Sequence, residues 1–245
     1  MTAAQLIERE LIALRNEEKA AHLSRFFKSG PGEYGEGDRF LGVAVPQTRA
    51  IVKTVLSESA AVPSDVELLT RSPWHEVRLA GFLVLVNLYK QALKRRDEAQ
   101  QQSLADLYLQ LIPRGNNWDL VDLVAPKVLG EHALRHPSGR PILHQLASRE
   151  GDLWAQRVGV VATWTLLRVG IYSDTLAICE RLLDHPHDLI HKATGWMLRE
   201  MGKRGGETEL IGFLDRHALR MPRTMLRYSI ERLPQDLSRH YLLLR

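Results

Sequence analysis

Two side chains, at positions 118 and 122, stand out as able to do chemistry together. In the stretch "GNNWDLVDLVAPKVLG", residues 115–130, a helix opens near Asn117 and carries Trp118 and Asp122 four residues apart, on one face. A core helix would place aliphatics at such positions. An indole beside a charge can be a flat, electron-rich wall for a cation. It can also be a core plug whose N–H finds a partner, and Asp122 can then be a structural ion pair with Arg157 or Lys192. The neighbouring Asp119 reads as a first-turn acid that favours a helix N-terminus.

Other constellations carry less. His187 and His191 in "DHPHDLIH" have metal-ligand spacing, but His187 precedes the expected helix and the glutamate of an H-E-x-x-H site is missing. The glycine-rich "GPGEYGEGDRFLG" lacks the Gly-Lys-Ser/Thr ending and the preceding strand of a phosphate loop, and reads as a mobile connector. Cys179, the only cysteine, sits in an apolar helical pattern and reads as core, which excludes a disulfide framework and a cysteine-based zinc site. No metal and no cofactor is expected.

The elements that must hold Trp118 and Asp122 are helices. The 245 residues are 44% hydrophobic and 25% charged, an ordinary composition for a folded protein. Apolar residues recur at three- and four-residue spacing in "EVRLAGFLVLVNLYKQAL", "SLADLYLQLI" and "WAQRVGVVATWTLLRVG", and "PRGNN", "DHPHD" and "KRGGE" punctuate them as turns. The β-branched run "VGVVATW" continues at helical spacing, so no sheet is expected. No apolar run reaches the roughly 18–20 residues of a membrane span, and the N-terminus lacks the pattern of a signal peptide. These features point to a cytoplasmic protein that avoids membranes.

A repeat runs through the helices. Segments anchored at Trp74, Trp118, Leu153, Asp188 and Leu219 share a polar turn followed by a helix, and four residues on from the anchors lie Arg78, Asp122, Arg157, Lys192 and Arg223. The expected fold is therefore all-α, a curved solenoid of degenerate HEAT-like helical repeats, with residues 1–245 as one domain. Equivalent positions in such a stack form a row, and a row of cations suits a phosphate backbone. Asp122 would repel phosphate, so it needs another purpose. The net charge of +4 is uneven: residues 191–245 hold 11 Lys/Arg against 6 Asp/Glu, which favours a polyanionic partner.

With "YGEGDRFLGVAVPQTR", "NNWDLVD", "LWAQRVGVVATW", "HKATGWMLREMGKR" and "MPRTMLRYSIERLP" in order, the chain from about residue 6 to 235 resembles the AlkD-type DNA alkylation repair family of helical-repeat DNA glycosylases. The resemblance implies catalytic roles for Asp122, Trp118 and Trp196, and DNA-binding roles for Arg157, Lys192, Arg199, Arg223 and Arg227. It implies a monomer acting on duplex DNA that contains alkylated bases, namely cationic N3- or N7-alkylated purines, at the sugar and without a base-flipping pocket. Ala155 and Gln156 depart from the family where relatives often carry a basic residue, as does Ala44 where some are polar or basic. Two alternatives remain at this level: a non-catalytic binder of DNA structure, and a protein-interaction scaffold.

Overall fold

The apolar runs named above fold as helices in the computed structural model, which describes residues 1–244, with "WAQRVGVVATWTLLRVG" split into two at Thr163. Among these residues there is no strand, only an isolated parallel bridge between Arg39 and Trp74. The chain divides into two compact units, residues 1–124 and 125–245.

The first unit comprises α1 (Ala3–Ala13), α2 (Glu17–Phe26), α3 (Val45–Glu58), α4 (Pro63–Thr70), α5 (His75–Arg95), α6 (Glu98–Leu111) and α7 (Trp118–Val124). α5 is its central element. It is 21 residues long, and α1, α3, α4, α6 and α7 all pack against it. That explains why its sequence is apolar nearly all round: Val77, Phe82, Val84, Leu85, Tyr89 and Ala92 are fully buried. The glycine-rich connector is tied down rather than loose. Glu76, at the start of α5, accepts the backbone N–H groups of Leu41 at 2.9 Å, Gly42 at 2.8 Å and Val43 at 3.1 Å. Gly42 is required there: its φ is +85°, and a Cβ would lie 2.2 Å from the carbonyl oxygen of Asn16.

The second unit opens with a π-helical turn (Pro126–Gly130) and continues through α8 (Glu131–Arg135), α9 (Gly139–Ala147), α10 (Leu153–Ala162), α11 (Trp164–Leu167), α12 (Ser173–Arg181), α13 (Asp188–Gly202), α14 (Glu207–His217), α15 (Arg223–Ile230) and α16 (Gln235–Leu243). α13 packs on α10 and on α15. The α13–α15 approach is close because Gly195 has no side chain; a Cβ there would sit 2.5 Å from the carbonyl oxygen of Met225.

The helix starts correct the repeat register. Trp118, Leu153 and Asp188 open α7, α10 and α13 as expected, but the fifth helix opens at Arg223, not Leu219. Pro222 explains the shift, since it disfavours helical geometry in the residue before it and suits the entry to the first turn. The four helix starts then stand 35 residues apart, and the residue matching Asp122, Arg157 and Lys192 in spacing is Arg227. The matching core positions agree: Leu120, Ala155, Ile190 and Met225 are all buried, as are Val124, Gly159, Thr194 and Ser229 one turn later.

Candidate functional site

α7 places Trp118 in its first turn and Asp122 one turn later, both half-buried, so the same-face pairing expected from their spacing holds. Three residues fix where this helix begins. Asn117 is fully buried; its side-chain oxygen accepts the Trp118 N–H at 2.9 Å and its amide donates to the Phe27 carbonyl at 3.4 Å. The Trp118 ring then lies 5.4 Å from the Phe27 ring and 6.1 Å from the Phe26 ring. The charge of Asp122 is felt by Tyr108 on α6: burial first, and then this carboxylate, push the phenol well above its ordinary range.

Asp119 does more than favour the helix N-terminus. It ends a buried chain of charges that the sequence did not announce. His75, in the first turn of α5, is 2% exposed, with Nδ1 2.9 Å from Asp38 Oδ2 and Nε2 2.9 Å from Asp119 Oδ2. Arg78 pairs with Asp38 Oδ1 and donates to Asn116 Oδ1 at 2.9 Å, and Asn116 Nδ2 returns a hydrogen bond to Asp38 at 3.1 Å. Asn116 and Asp119, on either side of the start of α7, are thus both tied to α5 and the glycine-rich segment. Burial alone would lift the Asp38 carboxyl, but the His75 hydrogen bond and the Arg78 charge hold it below the usual range. Arg78, expected as one cation in an exposed row, is instead consumed here at 6% exposure. Its type was legible in sequence; its partners, 38 and 40 residues away, were not.

The remaining predicted residues lie in the second unit, on three helices packed in succession. Arg157, on α10, is 4% exposed and donates to the Leu189 carbonyl at 2.5 Å. Lys192, Trp196 and Arg199 follow at helical spacing along α13, all half-buried. Lys192 pairs with Asp188 at 2.6 Å, and Arg199 pairs with Glu231. Arg223 and Arg227 are exposed on α15, the former donating to the Leu242 carbonyl at 3.0 Å. His187 precedes α13 as expected and also caps it, and His191 Nε2 meets the His185 carbonyl at 2.5 Å. Among the described residues, no group of three or more His, Cys, Asp or Glu could hold a metal ion.

A family profile described as "DNA alkylation repair enzyme" matches residues 7–233, nearly the whole chain. The chain belongs to the DNA alkylation repair enzyme family. A solved structure titled "Predicted DNA alkylation repair enzyme from Enterococcus faecalis" is 19% identical and covers 90% of this chain and 97% of its own, with a TM-score of 0.70. At that identity the likeness shows the fold. The comparison with curated proteins returns no match. For this member of the alkylation repair family, the helices that carry the candidate residues all fall inside the matched span. Ala155 and Gln156, where the resemblance implies a basic residue in relatives, are buried in α10. Gln156 Oε1 there meets His185 Nε2 at 3.0 Å, so a cation at 156 would displace an internal contact. No helix of the described residues is long and apolar enough to cross a membrane.

Proposed function

We propose that this member of the family is a DNA glycosylase that hydrolyses the N-glycosidic bond of cationic N3- or N7-alkylated purines in duplex DNA. The observation that carries the reading is the half-exposed Trp118–Asp122 pair on one face of α7. An alkylated purine already bears positive charge and departs neutral, so no general acid is needed. What needs help is the sugar, which becomes oxocarbenium-like as the bond lengthens. The Asp122 carboxylate stabilises that charge and orients or deprotonates the attacking water. Trp118 adds cation–π attraction of about 0.5–2 kcal/mol, depending on desolvation, and Trp196 on α13 is assigned the same role. Because the groups act at the sugar, the base need not be flipped into a pocket.

The phosphate contacts in this reading divide by exposure. Arg223 and Arg227 are open to a backbone, Lys192 and Arg199 reach one only by being shared with Asp188 and Glu231, and Arg157, buried on the Leu189 carbonyl, acts on the backbone by holding the start of α13. The 35-residue spacing of helix starts supports degenerate HEAT-like units, and the proposed enzyme works as a monomer in the cytoplasm.

The test is release of free base from duplex DNA containing 7-methylguanine, with Asp122→Asn beside wild type. Release by wild type, lost in the variant while duplex binding survives, is the expected result. Salt-dependent binding with no release by either would replace the reading with a non-catalytic binder of DNA structure, and salt-independent or absent binding would leave a protein scaffold.

A further inference from the structure

The buried charges beneath α7 have no step in the reaction above, yet their geometry constrains it. A neutral imidazole has one N–H and one lone pair. His75 faces two carboxylate oxygens, one on each ring nitrogen and each at 2.9 Å, and only the doubly protonated ring can donate to both. Asp119 depends on this bond, because its other oxygen, Oδ1, is buried without a hydrogen-bond partner. The ring also lies against Phe27 at 5.0 Å and Phe40 at 4.8 Å, whose own rings are 5.4 Å apart, and aromatic faces favour a cation. Phe27 in turn lies against Trp118. The first turn of α7 is therefore held through the charge on one histidine.

We infer that His75 is a positioning residue for excision: held as an imidazolium between Asp38 and Asp119, it sets the rotation of α7 and so the direction of Trp118 and Asp122. The inference rests on the excision role given to Asp122. Loss of the proton would leave one buried carboxylate facing a lone pair, and the anchor on Asp119 or on Asp38 would be lost. The charged groups that face the ring are Asp38 from the glycine-rich segment and Asp119 from α7, with Arg78 of its own helix acting through Asp38. α1, α3, α4 and α6 also pack on α5, and among the described residues none adds an acid or base to the ring's electrostatics. Burial by itself would lower the affinity of the ring for its proton, but the Asp119 and Asp38 carboxylates outweigh it and push the group up to about 9. Excision is accordingly expected to fail on the alkaline side of that value.

Two measurements on the full chain test this. Histidine NMR reads the clamp without any reaction: His75 should carry protons on both ring nitrogens at neutral pH and lose one near pH 9, and a neutral ring at neutral pH would overturn the inference. Single-turnover release of 7-methylguanine, followed at increasing pH, reads the positioning. Wild type should lose its rate as pH rises through about 9. His75→Gln should be slower by about tenfold or more at every pH, with duplex affinity within about twofold of wild type and no alkaline limb of its own.

Asp119→Asn is the conservative control. Its amide can donate to a neutral ring that still donates to Asp38, so it should keep a larger fraction of its neutral-pH rate at high pH than wild type does. Any alkaline loss shared by all three proteins comes from the DNA and is divided out. If both variants merely melt at lower temperature, with the rate per folded molecule and the alkaline limb as in wild type, His75 is packing and the inference fails. No release from wild type would overturn the excision reading and the positioning role with it, and a doubly protonated His75 seen by NMR would mark that failure as one of function and not of geometry.

Discussion

The start of α7 in the first unit and the α13–α15 face of the second both carry charged side chains, but they use them in opposite ways. Under α7, His75, Arg78 and Asp38 are buried and Asp119 nearly so, and the two cations are matched by two anions. Each group has its geometry fixed by a partner on another element. On α13 and α15, Lys192, Arg223 and Arg227 keep solvent contact, and the Lys192–Asp188 pair is about half exposed on both sides. Buried, mutually neutralised charges contribute orientation and are costly to break singly. Exposed ones contribute long-range attraction and little stability. On the proposed reading, a carboxylate that acts at one sugar carbon needs the first kind of support, while a phosphate backbone tolerates the second.

The largest effect should come from breaking the buried side. Arg78→Ala leaves the buried cluster with two anions and one cation and should lower stability by about 3–5 kcal/mol, measured by denaturant unfolding; a loss under 1 kcal/mol would mean the cluster is hydrated and does not hold α7. Asp122→Asn should leave the unfolding midpoint nearly unchanged and slow excision by roughly 10²–10³-fold. A variant that excises like wild type would remove the carboxylate from the mechanism.

The pH dependence of stability sharpens the contrast next. The proton affinity of His75 is raised in the folded state, from 6.5 to about 9. Its contribution is therefore fully present below about pH 6.5, declines above that, and is gone once the pH passes about 9. His75→Gln should flatten this slope in unfolding titrations, and an unaltered slope would place the titration elsewhere. Smaller again, Arg227→Ala should weaken duplex binding several-fold, reduce the salt slope by about one and change stability by less than about 0.5 kcal/mol. Equal binding at low and high salt would take Arg227 off the phosphate backbone. Smallest of all, Asp188→Ala should cost under 1 kcal/mol in unfolding, because its partner is half exposed.

Much of the fold was legible because helices are written in local spacing. The periodic runs, the turn at "PRGNN" and the helix start just after His187 all follow from residues within a few positions of one another. So does the Trp118–Asp122 pairing. The register error at the fifth repeat shows the limit: Leu219 continues an apolar pattern, and only the constraint imposed by Pro222 moves the helix start to Arg223. With that correction Arg227 joins the column of Asp122, Arg157 and Lys192, and Arg78 and Arg157 prove to be buried. The glycine-rich segment misled for a related reason. Its composition suggests mobility, and Glu76 cancels that by accepting the N–H groups of Leu41 and Gly42 at its end and of Val43 just beyond.

By itself, then, the sequence determined an all-helical chain, a family, and one helix face with an indole and a carboxylate on it. These depend on interactions between near neighbours, which leave a periodic trace. Tertiary structure alone decided which charges are buried and which are free to meet a polyanion. Asp38, His75 and Asp119 are separated by 37 and 44 residues. No spacing rule links them, because they meet only after α5, α7 and the glycine-rich segment have packed, and an acid or a base looks the same in sequence whether it ends in water or in the core.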